Sequence, residues 1–152
     1  MSTASHGGDH DLHQRIAGIM AARGQHYTAA RRMVVEALAS FGRPATISEL
    51  LGGAPGLAAS TAYRNLTVLS EAGVVTRVSG ADEFGRFELS EQFSGLHHHH
   101  VVCTDCGLVL DTGAPPGLEA ALAETIQATA QANGFDITGH RLELVGRCTS
   151  CR

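Results

Sequence analysis

Two Cys-x-x-Cys pairs constrain this chain more than any other feature. Cys103-Thr104-Asp105-Cys106 and Cys148-Thr149-Ser150-Cys151 account for all four cysteines of the 152 residues. Two residues between sulfurs let one tight turn present both to a single ion. Two such turns complete a tetrahedral shell with no open position, the donor set of structural Zn2+. A redox dithiol or unrelated buried thiols would leave the matched spacing unaccounted for. The second pair ends the sequence, where a metal would pin a tail that otherwise frays. Met1 to Asp11 carries no apolar stretch of the export type, so the expected compartment is the reducing cytoplasm. There such pairs hold metal rather than disulfides.

Composition narrows the class. Hydrophobic residues make up 43% and charged residues 17%, a globular rather than a disordered balance. No apolar run approaches the roughly 18 residues of a membrane span, so no membrane partner is expected. The formal charge of -4 is unevenly spread. Between residues 12 and 81, Arg15, Arg23, Arg31, Arg32, Arg43, Arg64 and Arg77 face only Glu36, Glu49 and Glu71; beyond them acids outnumber arginines. Only the first half is therefore suited to a polyanion.

That first half reads as helices with short connections. Leu12, Ile16, Ile19 and Met20 repeat at helical spacing between Asp11 and Arg23. Thr28 predicts an N-cap for a helix carrying Val34, Val35, Leu38 and Phe41, closed by Gly42. Thr46 and Glu49 form a capping box before a short helix over Ile47–Leu51. A fourth helix is predicted over Ser60–Ala72, with Leu66 and Leu69 inward and Gly73 as its C-cap. Val74–Val78 and Arg86–Leu89 then read as two strands around a turn. Helices followed by a β-hairpin outline a winged helix-turn-helix, with the fourth helix as reader.

Ser90–Leu96 reads as a polar hinge. After it come a strand over His97–Cys103, the Cys-x-x-Cys-Gly turn and a strand over Leu108–Asp111. A helix follows over Leu118–Ala132 with Leu122, Ile126 and Thr129 on one stripe, then a strand over His140–Leu144. The expected class is α+β. A winged-helix domain fills residues 1–90, with 1–10 as a flexible tail, and a small α/β dimerisation domain fills 91–152. A module of that size is marginal alone and needs a metal, a partner subunit or both.

His97-His98-His99-His100 enters the first strand of this second module. Alternate strand residues face opposite ways, so His97 and His99 share one face while His98 and His100 share the other. Each pair can supply two imidazoles, and one strand can serve two ions. Further ligands must come from elsewhere, with Glu88, Glu119 and His140 as candidates. A solvated loop, a core histidine at 140 and a helix-terminal charge at Glu119 are the structural alternatives.

Together these segments resemble the ferric uptake regulator family of metal-sensing bacterial repressors, from about Leu12 to Cys151. His97–Gly107 resembles the family's His-rich strand running into its first zinc knuckle. Thr28–Val35 is similar to its Thr-x-x-Arg-x-x-Val-Leu segment, and Ser60-Thr61-Ala62-Tyr63-Arg64-Asn65-Leu66 to its recognition helix. The resemblance implies a homodimer with winged-helix and dimerisation domains. It implies His97, His99, Glu119 and His140 as a site within the dimerisation domain, and Glu88, His98 and His100 as a regulatory site at the hinge. Where iron and peroxide sensors add a His from the DNA-binding domain, this chain has Arg43-Pro44; Asp82, Glu83 and His26 are the candidates to complete the set. Thr61, Tyr63, Arg64, Arg31 and Arg32 are the expected DNA contacts.

The function expected is metal-dependent repression at a palindromic operator, with zinc as structural cofactor and zinc as the sensed ion controlling metal-uptake genes. An iron-, manganese-, nickel- or peroxide-responsive repressor is the alternative within the family. A zinc store or metallochaperone without DNA binding is the alternative outside it. No enzyme is expected, because no His-Glu-x-x-His helix is present and the His run lies in a strand.

Overall fold

The structure, a computed structural model, describes residues 6–79, 85–95 and 97–152, with side chains from His10 onward. Asp82, Glu83 and Leu96 lie outside the described residues. Helix α1 spans His6–Ala22 and buries Ile16 and Met20 completely. Residues 6–10, expected as tail, have helical backbone. Once Leu12, Ile16 and Met20 anchor a helix, extending it by a turn costs little.

Helix α2, Ala29–Phe41, begins at Thr28, whose hydroxyl accepts from the Arg31 N–H, and ends at Gly42 in the left-handed conformation at φ 59°. Strand β1, Ala45–Thr46, leads into helix α3, Ile47–Gly53. The predicted capping box is formed. The Thr46 hydroxyl accepts from the Glu49 N–H at 3.2 Å, and the Glu49 carboxylate accepts from the Thr46 N–H at 2.8 Å. The Arg43 guanidinium at 2.6 Å holds the Glu49 carboxyl below its ordinary range. Losing such a cap costs about 1 kcal/mol. Thr46→Ala should therefore lower Tm by about 2–4 °C for a chain of this size. An unchanged thermal transition would show that the box contributes nothing.

Helix α4, Ala59–Glu71, turns Ala62, Leu66 and Leu69 inward. Strands β2, Val75–Ser79, and β3, Gly85–Leu89, pair antiparallel as the wing, and β1 adds to β3 in the order β1-β3-β2. The main core lies among these elements, with Val34, Leu50, Leu66, Leu69 and Val74 fully buried. The predicted hinge contains a short helix, α5, Glu91–Ser94. The Ser90 carbonyl accepts from the N–H groups of Phe93 and Ser94, while Phe93 packs against the main core.

In the second domain, strand β4, His99–Cys103, is central. Strand β5, Val109–Thr112, pairs with it antiparallel, and β6, Glu143–Gly146, pairs parallel. A parallel pair needs a crossover, supplied by helix α6, Pro116–Asn133. Three strands differ from expectation: β4 starts at His99 rather than His97, β5 is shifted by one residue from Leu108–Asp111, and β6 starts at Glu143 rather than His140. The β4–β5 ladder begins where His99 meets Thr112, and His140–Leu142 precede the β6 pairing.

The two faces of β4 have different fates. Val102 and Val109 join Val78 of the wing in a small core between the domains. On the other face Val101, Leu110 and Leu144 lie in register across three strands, exposed by 37%, 46% and 52%. Helix α6 buries no residue, and Thr129, expected on the stripe with Leu122 and Ile126, is exposed. No helix among the described residues is long and apolar enough to cross a membrane.

Candidate metal centres and nucleic-acid face

Three clusters of ligating side chains form among the described residues, and the alternation of the His run sorts two of them. The first is the thiolate set. Cys103 ends β4, and Gly107, at φ 72°, closes the turn that carries Cys106. A second turn brings the Cys151 N–H to the Cys148 carbonyl at 3.0 Å. One sulfur from each of the four residues lies within 4.8 Å of the others, and none is in a disulfide. Cys106 and Cys148 stand 3.8 Å apart, the separation of sulfurs placed tetrahedrally at about 2.3 Å from Zn2+, on the order of 3.8 Å. The N–H groups of Cys106, Cys148 and Asp105 pull the Cys103 thiol down to about 6. Neighbouring Cys148 and Cys106 push Cys151 up to about 12. Four thiolates repel one another unless a cation joins them, so these residues fit the zinc they predicted.

The second cluster uses the β4 face turned toward the wing. Glu88, buried on β3, has Oε2 at 3.1 Å from His98 Nε2 and Oε1 at 3.2 Å from His100 Nε2. The latter contact is poorly aligned, and His100 Nε2 is a buried nitrogen without a hydrogen bond. An orphaned imidazole nitrogen aimed at a carboxylate cluster fits a divalent ion. Burial pulls the Glu88 carboxyl up, but the His100 and His98 imidazoles outweigh it and hold it below the carboxylate range.

A fourth group, Asp111, completes this cluster and was missed from the sequence. It sits opposite His100 in the β4–β5 ladder, with Oδ1 at 3.8 Å from His100 Nε2 and 4.0 Å from His98 Nε2. Burial, reinforced by the Glu88 charge, pushes its carboxyl up against the pull of His98, His100 and Arg43. The signal was available. A hairpin with Cys103 and Leu108 at its turn sets residue 111 opposite residue 100. Of the groups expected to complete the set, His26 is exposed and outside the cluster. Arg43 spends its guanidinium on Glu49, beside a cleft of about 610 Å³ that Glu88, His98 and Asp111 also line.

The third cluster uses the opposite face, as the alternation predicted. His97, His99 and His140 turn Nε2 atoms toward Glu119, at 3.4, 2.6 and 3.6 Å from its oxygens. His97 and His140 bring Nε2 atoms within 3.3 Å of each other, an arrangement that two imidazoles adopt around a shared proton or ion. The His99 contact leads in holding the Glu119 carboxyl below its ordinary range. Glu119 reaches the cluster from the first turn of α6, and His140 from the segment before β6.

The candidate DNA contacts divide. Tyr63 is 58% exposed on α4, Arg64 is exposed beside it and Thr61 lies half-buried in the first turn. Arg32 is exposed with its guanidinium 5.6 Å over the Tyr27 ring. Arg31 is half-buried. Its guanidinium donates to Asn65 Oδ1 at 3.2 Å, to Gln25 Oε1 at 3.1 Å and to the His26 carbonyl. Asn65 lies on α4, so Arg31 ties α4 to the first turn of α2.

Comparison with known proteins agrees with this architecture. Over 148 residues, 95% of this chain and 92% of the relative, the chain is 30% identical to the peroxide-responsive repressor PerR of Staphylococcus epidermidis. Its fold matches the ferric uptake regulator Fur of Helicobacter pylori with a TM-score of 0.74 at 19% identity, covering 99% of this chain and 97% of that one. It matches the Vibrio cholerae ferric uptake regulator with a TM-score of 0.66 at 29% identity, covering 86% and 98%. These folds combine an N-terminal winged helix-turn-helix with a C-terminal dimerisation domain. The model of the ferric uptake regulator family matches residues 22–145, and the chain belongs to that family, whose members are metal-responsive transcriptional regulators and not enzymes.

Proposed function

We propose that this protein is a repressor whose grip on operator DNA depends on a divalent ion at the hinge. One observation carries the proposal: Glu88 of the wing meets His98, His100 and Asp111 of the second domain in a single cluster. A bound ion would supply the positive charge that these two carboxylates and two imidazoles lack. Glu88 and the second-domain ligands would then hold the wing at a fixed angle to β4, and ion affinity for that arrangement sets the regulation. The thiolate set would hold Zn2+ as a permanent part of the second domain.

The row of Val101, Leu110 and Leu144 supports a homodimer. Contiguous exposed apolar residues on a marginal domain mark an association surface. Two copies of α4 would then meet two half-sites of a palindrome. Tyr63 is placed to contact a thymine methyl, and Arg64 and Arg32 to contact phosphate or a base edge. Helix α4 has no side-chain N-cap, which leaves its first N–H groups available to a phosphate. Arg64→Ala should weaken operator binding roughly 5- to 150-fold, as expected for about 1–3 kcal/mol. Unchanged affinity in a titration at fixed salt would remove Arg64 from the interface.

Asp111 bears on which ion is sensed. Two carboxylates with two imidazoles and no thiolate suit Fe2+ or Mn2+. Zinc also accepts His and carboxylate ligands, and zinc-responsive control of metal uptake is the second reading. Operator binding measured separately with buffered iron, manganese, nickel and zinc decides between them. A store or chaperone without DNA binding would show no salt-dependent duplex affinity with any of these ions.

A further inference from the structure

We propose that Glu91 orients His97 for its metal cluster, and that α5 transmits the state of that cluster to the end of the reading helix α4. The functional meaning rests on the repressor reading; the contacts do not. Glu91 Oε1 lies 2.8 Å from His97 Nδ1. The other ring nitrogen, Nε2, faces His140 Nε2 at 3.3 Å and Glu119 Oε2 at 3.4 Å. With Nδ1–H donating to Glu91, the Nε2 lone pair is left pointing into the cluster. A carboxylate behind an imidazole fixes the tautomer and ring angle and raises basicity toward a metal. The pair is 40% and 51% exposed, and a pair so open contributes little to folding. Its use is therefore in placing the ring.

Glu91 is also the first residue of a helix fastened to the DNA-binding domain. Gln92 Nε2 donates to the Gly73 carbonyl at 2.9 Å, just beyond α4. The Gln92 carbonyl accepts from Arg15 of α1 at 2.6 Å, and the Arg15 guanidinium stands 5.2 Å over the Phe93 ring. The Ser90 N–H donates to the Val74 carbonyl at 2.9 Å. A shift of His97 thus acts through Glu91 on a four-residue rod, and through Gln92 on the last turn of α4. Within the segment expected as a polar hinge, these bonds make α5 a lever.

Zinc-loaded full-length protein carrying Glu88→Ala, His98→Ala and His100→Ala keeps one intact His-carboxylate cluster for titration with Co2+ against a competing chelator too weak to strip the thiolate set. Glu91→Ala in that background should weaken Co2+ binding roughly 10- to 100-fold. Glu91→Gln, which keeps an acceptor oxygen and nearly the same volume, should lose less. Equal affinity in all three proteins overturns the orienting role. Hydrogen exchange at the Gly73 and Val74 amides should slow on adding Co2+, and Gln92→Ala should remove that response. No response in the parent, or an unaltered one in Gln92→Ala, overturns the coupling. Neither readout involves DNA, so either can fail while the repressor reading stands, and the reverse.

Discussion

Cys148→Ser is expected to leave the second domain unfolded while the winged-helix domain stays intact. The small core between the domains comprises Val78, Val102 and Val109, and every residue of β6 is exposed. Apolar burial on that scale cannot offset the entropy of ordering the domain. The thiolate set ties the end of β4 to the C-terminal turn, and zinc bound by such a set contributes roughly 10–16 kcal/mol to folding. A serine hydroxyl does not replace a thiolate as a soft donor. Segment-resolved hydrogen exchange should show protection retained across α1–α4 and lost across 97–152, with zinc content falling to near zero. Full zinc content and an intact β4–β6 ladder would contradict the structural role.

Glu88→Ala carries the next largest effect, on the linkage between domains. Among the described residues Glu88 is the only ligand in its cluster drawn from the first domain; His98, His100 and Asp111 belong to the second. In the parent protein an ion at this cluster should stabilise both domains together, by about 2.7 kcal/mol when free ion exceeds Kd 100-fold. In Glu88→Ala the same ion should raise the thermal transition of the winged-helix domain far less, leaving only what α5 passes from the other cluster to Gly73 and Val74. Ion held by His97, His99, Glu119 and His140 can still stabilise the second domain, so the two transitions should separate. Differential scanning calorimetry with and without Mn2+ reads this. A winged-helix transition that rises as far in Glu88→Ala as in the parent would place the bridging ligand elsewhere.

Much of the site was legible because it depends on local periodicity. The sorting of His97 and His99 from His98 and His100 follows from the two-residue repeat of a strand, and the Thr46–Glu49 box follows from spacing alone. The misses need tertiary information. Asp111 enters through ladder register, recoverable from the Cys103–Leu108 turn only once the strand ends are known. The bond from Arg31, an expected DNA contact, to Asn65, thirty-four positions away, is a tie between α2 and α4 that spacing does not show. Glu91 lies in the segment expected as a polar hinge, and only the chain's path sets it behind His97. Which sheet face stays uncovered depends on assembly, and the alternation of Val101 and Val102 is silent on it.

The central claim is that a hinge-bound ion changes how the protein holds DNA. It is tested most directly by fluorescence anisotropy of the zinc-loaded protein on an operator duplex selected in vitro. Free Mn2+, Fe2+, Ni2+ and Zn2+ would be buffered in turn, with a chelator too weak to strip the thiolate set as reference. A coupling of about 1–3 kcal/mol predicts that at least one ion tightens binding roughly 5- to 150-fold, and that Glu88→Ala abolishes the gain. The same affinity in every buffer, with the protein folded and its structural zinc in place, would contradict it.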